Sequence, residues 1–472
     1  MDSRISARAL AAALGGWRGS GPAYEALADG VRLLCLDNRL APSTALPAER
    51  ELAAALSLSR TTVAAAYRSL RETGHIESLR GSGSVTLPLR RSDPGRLDAD
   101  ADDIDLQQAS PAAWPGLPAV IAEAAAQAPA LVARIGYDVV GDPALRAAIA
   151  DHYSGRGLVT SPDQILVTTG AQSAIHLIAS VLLGRADRVL LETPTYPHAA
   201  DAFRRVGARL IGVPVDSDDG WDLERAEQSF ARALPSLAYL MPDFHNPTGR
   251  TMSAVEAEAF LAGARSAGTL LVLDETTAQL DIDRTGGAAP FPDDDRIIRV
   301  ASLGKTVWGG LRVGWVRAAP DIVRRLASGR PVHDLGTPEL EQAIATRLVP
   351  RLDEIARQRG DLLRAGRDAV RAALTSAFPD WDVPEVDGGV SVWVGIGEPL
   401  STPLVMSARS RGLALSAGSR FAVEGGHDRR LRVPFTAPPA TLERAVDILR
   451  AAWDDVRGGR AAATREDFAT VV

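Results

Sequence analysis

Apolar residues in the first ninety positions recur at helical spacing and then in alternation. The run AYEALADGVRLLCL predicts a helix from Ala23 to about Asn38. After the turn APSTALP, the run PAERELAAAL predicts a second helix, with proline and two glutamates at its start. A third helix is predicted from Arg60 to about Thr73, and HIESLRGSGSVTLP predicts two short strands around a Gly-Ser-Gly turn. Residues 21–88 are therefore expected to form one unit. Residues 1–20 are expected to form at most a short helix before it.

A change in composition separates this unit from the rest of the chain. Residues 89–108 are rich in aspartate and lack an apolar stripe, which predicts a linker. From residue 109 onward, short apolar runs such as QILVTTG, RVLLETP and TLLVLDE alternate with amphipathic helices. Such unbroken runs are typical of strands buried on both faces of a mainly parallel sheet. An α/β domain is expected, with ligands at the carboxyl ends of its strands.

The pattern changes again after about residue 320. Long helices precede the strand-like runs GVSVWVGI and RLRVPF, which predicts a smaller α+β part over residues 321–455. The two parts together form one domain, residues 109–455. Residues 456–472 are expected to be a mobile tail.

Composition excludes several classes of protein. The 472 residues carry a net charge of −7, with 46% hydrophobic and 24% charged residues, which is typical of a globular protein of two to four domains. No apolar run approaches the roughly 18 residues of a membrane span, and Arg4 and Arg8 interrupt any signal-peptide core. The single cysteine, Cys35, excludes an intrachain disulfide framework and suits a reducing compartment. A cytoplasmic protein with no membrane partner and no metal site is expected.

The basic residues are unusual in kind. Only one of the 52 is a lysine, Lys305, and the rest are arginines. A codon bias that favours arginine wherever a positive charge suffices would explain this count. A guanidinium, however, is always protonated and cannot condense with an aldehyde. Lys305 is therefore a candidate for amine chemistry, although composition alone leaves both explanations open.

The amino-terminal unit has the layout of a winged helix-turn-helix, in which one helix reads base edges in the major groove. Arg60, Thr61 and Thr62 begin the third helix. Arginine there can donate twice to guanine, and threonine can contact a base edge or a thymine methyl group. Over residues 21–88, however, seven arginines offset seven acids, so tight binding should need two units in a dimer. A helical protein-contact domain remains the alternative.

Residues 24–88 resemble the DNA-binding domain of GntR-family transcription regulators. The resemblance rests on LPAERELAAAL, LSRTTVAAAYRSLRETGHIES and RGSGSV, which occur in this order and at this spacing. It implies that the partner is double-stranded operator DNA. The DNA contacts that it implies are Arg50, Arg60, Thr61 and Thr62, with Gly81 and Gly83 at the tip of a wing in the minor groove.

Five separated motifs of the second domain suit pyridoxal 5′-phosphate. VTTGAQSAI places Gly170 between a strand and a helix, where free N–H groups attract a phosphate. ETPTYP places Tyr196 in a loop where it could stack on a ring, and PDFHNPTG places Asn246 at the end of a strand. A plain turn or a packed loop would explain each of these alone.

The other two motifs carry charge. LLVLDETT ends a strand at Asp274, and a buried carboxylate there needs a partner such as a protonated pyridine nitrogen. SLGKTVWGGLRVGW places Ser302 and Arg312 on either side of Lys305. The hydroxyl and the guanidinium suit a phosphate, and the lysine amine suits an aldehyde. A helix cap and a surface lysine are the ordinary explanations.

Taken in this order, the motifs resemble those of fold-type I aminotransferases over roughly residues 105–455. The resemblance implies that Lys305 is the catalytic amine that condenses with the cofactor, and that Arg432 in LRVPF binds the carboxylate of an amino acid. Tyr137 matches loosely a residue that reaches the phosphate in the partner subunit. The cofactor-binding residues that it implies are Gly170, Ala171, Gln172, Tyr196, Asn246, Asp274, Ser302, Lys305 and Arg312.

The chain departs from the aminotransferase pattern at one point. Family members usually carry a tyrosine two or three residues after the aspartate, bonded to the phenolic oxygen of the cofactor. Thr276 and Thr277 occupy these positions here, and a threonine hydroxyl is shorter and far less acidic. Any transaminase activity is therefore expected to be weak, whereas cofactor binding is less affected.

The two units joined by a linker resemble MocR-type regulators across nearly the whole chain. The resemblance implies a homodimer whose large domain senses pyridoxal phosphate, or its adduct with an amino compound, and changes how two DNA-binding units are held. The expected fold class is α/β, with an amino-terminal winged helix-turn-helix and a fold-type I aminotransferase-like domain. A functional aminotransferase with an accessory DNA-binding unit, and a DNA-binding protein with a silent dimerisation scaffold, are the alternatives.

Overall fold

A computed structural model gives the fold. It describes residues 4–18, 22–37, 39–79, 83–88, 103–284 and 291–458. Gly81, most of the predicted linker (89–102) and most of the predicted tail (459–472) lie outside the described residues. None of the described helices is long and apolar enough to cross a membrane.

The described residues of the amino-terminal unit form four helices and a hairpin. Leu27, Val31, Leu52, Tyr67 and Leu70 lie in its apolar core, as their helical spacing predicts. An additional helix precedes the expected three and begins where the hydroxyl of its N-cap serine accepts a hydrogen bond from the third amide of the helix. The elements are α1 (Ala7–Leu14), α2 (Ala23–Leu36), α3 (Glu49–Leu56), α4 (Arg60–Glu72), β1 (Ile76–Leu79) and β2 (Gly83–Thr86), with β1 and β2 antiparallel.

An eight-stranded sheet forms the centre of the large domain. Its strand order is β4-β11-β10-β9-β8-β5-β6-β7, and the central pairs are parallel while the pairs that involve β7 and β11 are antiparallel. Both faces are covered by helices, which explains the unbroken apolar runs in the sequence. The strands are β4 (Ile165–Thr168), β5 (Arg188–Thr193), β6 (Arg209–Asp216), β7 (Gly220–Trp221), β8 (Leu237–Leu240), β9 (Leu270–Asp274), β10 (Ile297–Ser302) and β11 (Gly314–Arg317).

The helices of the large domain precede, separate and follow these strands along the chain, and four of them alternate with the strands as the apolar pattern predicts. They are α5 (Leu117–Ala125), α6 (Ala128–Val132), α7 (Pro143–Gly155), α8 (Ala171–Leu182), α9 (Pro197–Arg205), α10 (Leu223–Ala233), α11 (Ala254–Ala267), α12 (Pro320–Gly329) and α13 (Glu339–Leu348). The 26-residue helix α14 (Leu352–Ala377) leads into the small domain.

The small domain has its own sheet and core. Strands β12, β15 and β14 form an antiparallel sheet, and β13 pairs in parallel with β3. The remaining elements are β3 (Ile104–Asp105), β12 (Ser391–Gly395), α15 (Ser401–Ser410), β13 (Leu413–Ala414), β14 (Ser416–Ala417), β15 (Arg430–Pro434) and α16 (Pro439–Arg457).

The end of the predicted linker belongs to this small domain. Ile104 and Leu106 are buried in its apolar core, so residues 103–108 are not a solvated connection as the aspartate-rich composition suggests. The alternation of two apolar side chains with polar ones outweighs the local charge, because a strand needs only one buried face. The other domain boundaries remain predictions.

Candidate functional site

An anion cradle lies where β4 turns into α8. Gly170 has a φ of +90°, and a Cβ atom at this position would lie 2.5 Å from Nη2 of Arg312. Arg312 donates from the same nitrogen to the carbonyl oxygen of Thr169, at 3.0 Å. Only glycine combines this backbone with so close a guanidinium. Helix α8 begins at Ala171, and the free amides of its first turn point to the same position as the charge of Arg312. Both groups favour an anion there.

Ser302 and Gln172 flank this cradle. Ser302 ends β10, and its hydroxyl accepts a hydrogen bond from the amide of Gly304 at 3.2 Å. Gln172 lies in the first turn of α8 and donates from Nε2 to the carbonyl oxygen of His198, at 3.1 Å. Its Oε1 atom is buried without a hydrogen-bond partner among the described residues. These side chains add polar groups beside the helix terminus.

Asp274 is held at the carboxyl end of β9. It is 1% exposed, and burial raises the pKa of its carboxyl group, whereas hydrogen bonds oppose that rise. Tyr239 donates from its hydroxyl to one carboxylate oxygen at 2.5 Å, and Thr276 donates from its hydroxyl to the other at 2.6 Å and from its amide at 2.9 Å. The carboxylate is thereby fixed in orientation inside the sheet.

Asn246 and Tyr196 occupy neighbouring strand ends. Asn246 is 8% exposed, and its Oδ1 atom has no partner among the described residues. Tyr196 precedes α9, and burial together with the nearby charge of Asp274 raises the pKa of its hydroxyl to about 12. The carboxamide, the phenol and the carboxylate therefore converge near the carboxyl ends of β5, β8 and β9.

Lys305 follows β10 and points into the same region. Burial and the positive charge of Arg432 lower the pKa of its amine to about 8, and Asp274 opposes that shift. The amine donates to the carbonyl oxygens of Gln108 and Ala109, at 3.1 and 2.8 Å. Because the pKa lies far below the ordinary lysine value of 10.5, an appreciable fraction of the amine is neutral and nucleophilic near neutral pH.

Arg432 lies on β15 of the small domain and faces Lys305. It is 6% exposed, and burial lowers the pKa of its guanidinium to about 10. One Nη atom donates to the carbonyl oxygen of Gln107, and Nε is buried without a partner among the described residues. A buried guanidinium with unused donors suits a carboxylate, which it can bind with two parallel hydrogen bonds.

These residues fit pyridoxal phosphate. The α8 terminus and Arg312 suit its phosphate, Asp274 suits a protonated ring nitrogen, and Tyr196 suits the face of a ring. The unpartnered buried oxygen of Asn246 independently indicates that a polar group of a ligand belongs beside it.

The two threonines that replace the usual tyrosine are already engaged. The hydroxyl of Thr276 bonds to Asp274, and that of Thr277 donates to the carbonyl oxygen of Asp243 at 2.8 Å. Neither therefore takes the place of a tyrosine hydroxyl at a phenolic oxygen. The expectation of weak transaminase activity stays a prediction.

Sequence reasoning missed Tyr239 and the polar network next to Asn246. Glu192 is fully buried and accepts hydrogen bonds from the indole of Trp221 at 2.8 Å and from the amide of Met241 at 2.9 Å. His245, which precedes Asn246, lies 3.4 Å from Glu192. The available signals were a tyrosine in the apolar run LAYLMP and a glutamate in the apolar run RVLLETP. Either residue also occurs in ordinary core strands, so neither signal points to a site by itself.

The second candidate site is the exposed start of α4. Ser59 caps this helix by accepting a hydrogen bond from the amide of Thr62 at 3.0 Å, and its hydroxyl lies 2.7 Å from the hydroxyls of both Thr61 and Thr62. Arg60 is exposed and lies 3.6 Å from Glu49. Arg50 is exposed on α3. Arginine and threonine side chains therefore face outward where a recognition helix meets bases.

The remaining predicted positions are less constrained. Gly83 begins β2 with a φ of +82° and open space around it, whereas Gly81 lies outside the described residues. Tyr137 is 72% exposed and so lies on the surface.

Comparisons with known proteins match two separate segments of the chain. The model for aminotransferases of class I and II matches residues 107–449, and the model for bacterial regulatory proteins of the gntR family matches residues 23–85. The shorter segment lies within residues 21–88, and the longer one overlaps most of residues 109–455.

Two relatives span both units. The uncharacterized HTH-type transcriptional regulator YdfD of Bacillus subtilis is 27% identical over 83% of this chain and 88% of its own length. The probable rhizopine catabolism regulatory protein MocR of Rhizobium meliloti is 26% identical over 92% of this chain and 94% of its own.

A solved structure matches the larger unit. LysN, an alpha-aminoadipate aminotransferase from Thermus thermophilus complexed with N-(5′-phosphopyridoxyl)-L-leucine, is 27% identical and matches with a TM-score of 0.68. The match covers 77% of this chain and 97% of that protein.

Proposed function

The chain belongs to the aminotransferase class I and II family and carries a gntR-family domain at its amino end, and on this premise we propose that it is a transcription regulator that senses pyridoxal phosphate. The expected winged helix-turn-helix and fold-type I aminotransferase fold are confirmed, and that fold implies pyridoxal phosphate as the cofactor. The regulator binds operator DNA through α4 and responds to the cofactor or to its adduct with an amino compound.

One observation carries the proposal. A single polypeptide combines an exposed helix start with arginine and threonine side chains and a buried site in which its only lysine has a lowered pKa. Two relatives of the same layout are named as regulators. An enzyme alone would have no use for the first feature, and a plain repressor would have no use for the second.

The residues of the site have distinct roles in this proposal. Pyridoxal phosphate supplies an aldehyde for amines and a ring that withdraws electrons. The α8 terminus, Ser302 and Arg312 bind the phosphate, and Asp274 holds a proton at the ring nitrogen. Lys305 provides the amine, of which about a tenth is neutral at pH 7 for a pKa of about 8. Arg432 binds the carboxylate of an amino acid effector.

A functional aminotransferase remains the alternative. The site contains the amine, the carboxylate and the carboxylate-binding arginine that the reaction needs, and the match to LysN supports it. The hydroxyls of Thr276 and Thr277 bond within the protein, however, which favours slow turnover.

The proposal includes a homodimer. Val132, Ile135 and Tyr137 are 80, 91 and 72% exposed, and Val332 and Leu335 are 87 and 50% exposed. The two groups are neighbours, because a Cβ atom at Gly336 would lie 2.5 Å from the carbonyl oxygen of Asp138. An apolar surface of this kind suits a second copy of the chain. Two DNA-binding units would then compensate for the low net charge of each, in the cytoplasm where operator DNA lies.

The decisive experiment is footprinting on DNA upstream of the protein's own gene, with and without pyridoxal phosphate. We expect a protected site whose affinity changes with the cofactor, and borohydride reduction should attach a pyridoxyl label to Lys305. Lys305→Ala should abolish the label and the response while DNA binding persists. Rapid amino-group transfer to 2-oxoglutarate without any protected site would instead favour the aminotransferase, and a protein that never takes up the label would favour the silent scaffold.

A further inference from the structure

Lys305 and Arg432 of the cofactor site hold the segment through which the DNA-binding unit joins the large unit. We call residues 103–110 the linker anchor. Within it, Gln107 accepts a hydrogen bond from Arg432, and Gln108 and Ala109 accept hydrogen bonds from Lys305 at 3.1 and 2.8 Å. Three consecutive carbonyl oxygens are thus bound by the side chains that would serve an aldehyde and a carboxylate.

The other side of the linker anchor is bound to the small domain. The amides of Ile104 and Leu106 donate to the carbonyl oxygens of Gly412 and Ala414, at 2.8 and 3.0 Å. The side chain of Gln107 donates to the carbonyl oxygen of Leu415 at 3.2 Å. The anchor contains the two-residue strand β3, and the contacts to Arg432 and Lys305 add to these hydrogen bonds.

The linker anchor also shares a core with the DNA-binding unit. Ile104 and Leu106 belong to the same apolar cluster as Leu33 and Leu36 of α2. This cluster lies against α15, which contacts α2 directly. A displacement of the anchor would therefore change the packing beneath α2, because closely packed side chains transmit shifts in position.

Charged residues also lie at the same junction. Asp37 follows α2, and burial raises the pKa of its carboxyl group while the nearby guanidiniums of Arg420 and Arg409 oppose that rise. Arg420 also pairs with Asp201 of α9, at 2.8 Å. The DNA-binding unit thus packs on the small domain through apolar side chains, with charged groups nearby.

We propose that the linker anchor transmits the state of the cofactor site to the DNA-binding unit, because the site's ligands compete with its carbonyl oxygens for Lys305 and Arg432. This inference rests on the proposed function and concerns the regulation of the same site. An amine engaged with an aldehyde, and a guanidinium engaged with a carboxylate, lose donors that now bind the anchor. Occupancy of the site therefore weakens the hold on the anchor, and the equilibrium between held and released anchors shifts.

Hydrogen exchange tests the proposal on the unmodified full-length protein. Exchange at the amides of Ile104 and Leu106 is measured in the protein without ligand, with pyridoxal phosphate, and with N-(5′-phosphopyridoxyl)-L-alanine. The visible or near-ultraviolet absorbance reports the occupancy of the site. We expect each ligand to speed exchange at these amides by about ten-fold or more, because their hydrogen bonds open more often. Unchanged exchange in a fully occupied protein overturns the inference and leaves the proposed function intact.

A cross-link gives a second, independent test. Asp105 and Ala414 are paired residues in adjacent strands, so the double variant Asp105→Cys and Ala414→Cys can close a disulfide across them. The reduced form of the same variant is the matched control. In the reduced form we expect the ligand to change operator affinity about five-fold or more, a typical coupling, and in the oxidised form we expect less than a two-fold change.

The two forms separate the possible failures. If the oxidised protein takes up pyridoxal phosphate and its operator affinity responds as in the reduced form, the linker anchor is not the transmitter. If the reduced form takes up the ligand and its operator affinity never responds, the proposed function itself fails and the inference fails with it.

Discussion

The proposed function depends on two regions, the start of α4 and the surroundings of Lys305. The first region is exposed to solvent, and the second is buried. Arg60 and Thr61 are exposed and have few constraints, whereas Asp274 and Arg432 are 1 and 6% exposed and have several charged or polar neighbours. Exposed groups keep their ordinary chemistry and act through position. Buried groups are altered by their surroundings, and Lys305 shows the consequence, because its pKa falls to about 8.

The largest expected effect concerns the pH dependence of cofactor capture by Lys305. Only the neutral amine of Lys305 attacks an aldehyde, and its lowered pKa of about 8 places the transition below the ordinary value of 10.5. Below pH 8 the rate of capture should fall by up to about ten-fold per pH unit, which gives roughly fifty-fold between pH 8 and pH 6. Stopped-flow absorbance measures this rate, and above about pH 8 it should level off.

A matched variant sharpens this prediction. Arg432→Gln removes the positive charge that helps to lower the pKa of Lys305, so the plateau should move to higher pH. A wild-type rate that still rises steeply at pH 9.5 would show that burial does not alter the amine.

The exposed region should respond to single truncations by a smaller factor. Arg60→Ala removes a guanidinium at the start of α4, and the loss of two hydrogen bonds to a guanine corresponds to about ten-fold weaker operator binding. Fluorescence anisotropy with operator and scrambled duplexes measures the change. Arg68→Ala, on the exposed side of the same helix, is the control and should weaken binding to both duplexes alike. Equal losses in both variants would remove α4 as the specific reader.

The sequence predicts the fold and the candidate site to different extents. The order of strands and helices followed from apolar periodicity, and Lys305 was singled out because no other lysine occurs. The partners of Asp274 could not be foretold, because Tyr239 is separated from it by 35 positions and looks like any core aromatic. The contact between Arg432 and Gln107 spans 325 positions, and no local pattern records it.

The next prediction concerns Tyr239, the hydrogen-bond partner of Asp274 that the sequence does not reveal. Tyr239→Phe leaves one buried oxygen of Asp274 without its hydrogen bond, which raises the pKa of the carboxyl group and leaves the carboxylate less firmly oriented towards a protonated ring nitrogen. We expect cofactor affinity to fall about five-fold, with a shift in the visible absorbance, because one such bond corresponds to about 1 kcal/mol.

A control separates this effect from general loosening of the core. Phe203→Leu alters the packing against the ring of Tyr239 but leaves the hydroxyl in place, so the spectrum should be unchanged. An unaltered spectrum in Tyr239→Phe would mean that the hydroxyl does not tune Asp274.

The smallest effect belongs to the helix cap that positions the exposed residues. Ser59→Ala removes the acceptor for the amide of Thr62 and should lower the free energy of unfolding of the amino-terminal unit by about 1 kcal/mol, measured by urea denaturation. Ser59→Asp keeps the cap and restores that stability, but its charge faces the phosphates and should still weaken operator binding. A Ser59→Asp protein that regains both stability and affinity would show that the start of α4 does not face DNA, and the contrast between the exposed and the buried region would then lose its functional meaning.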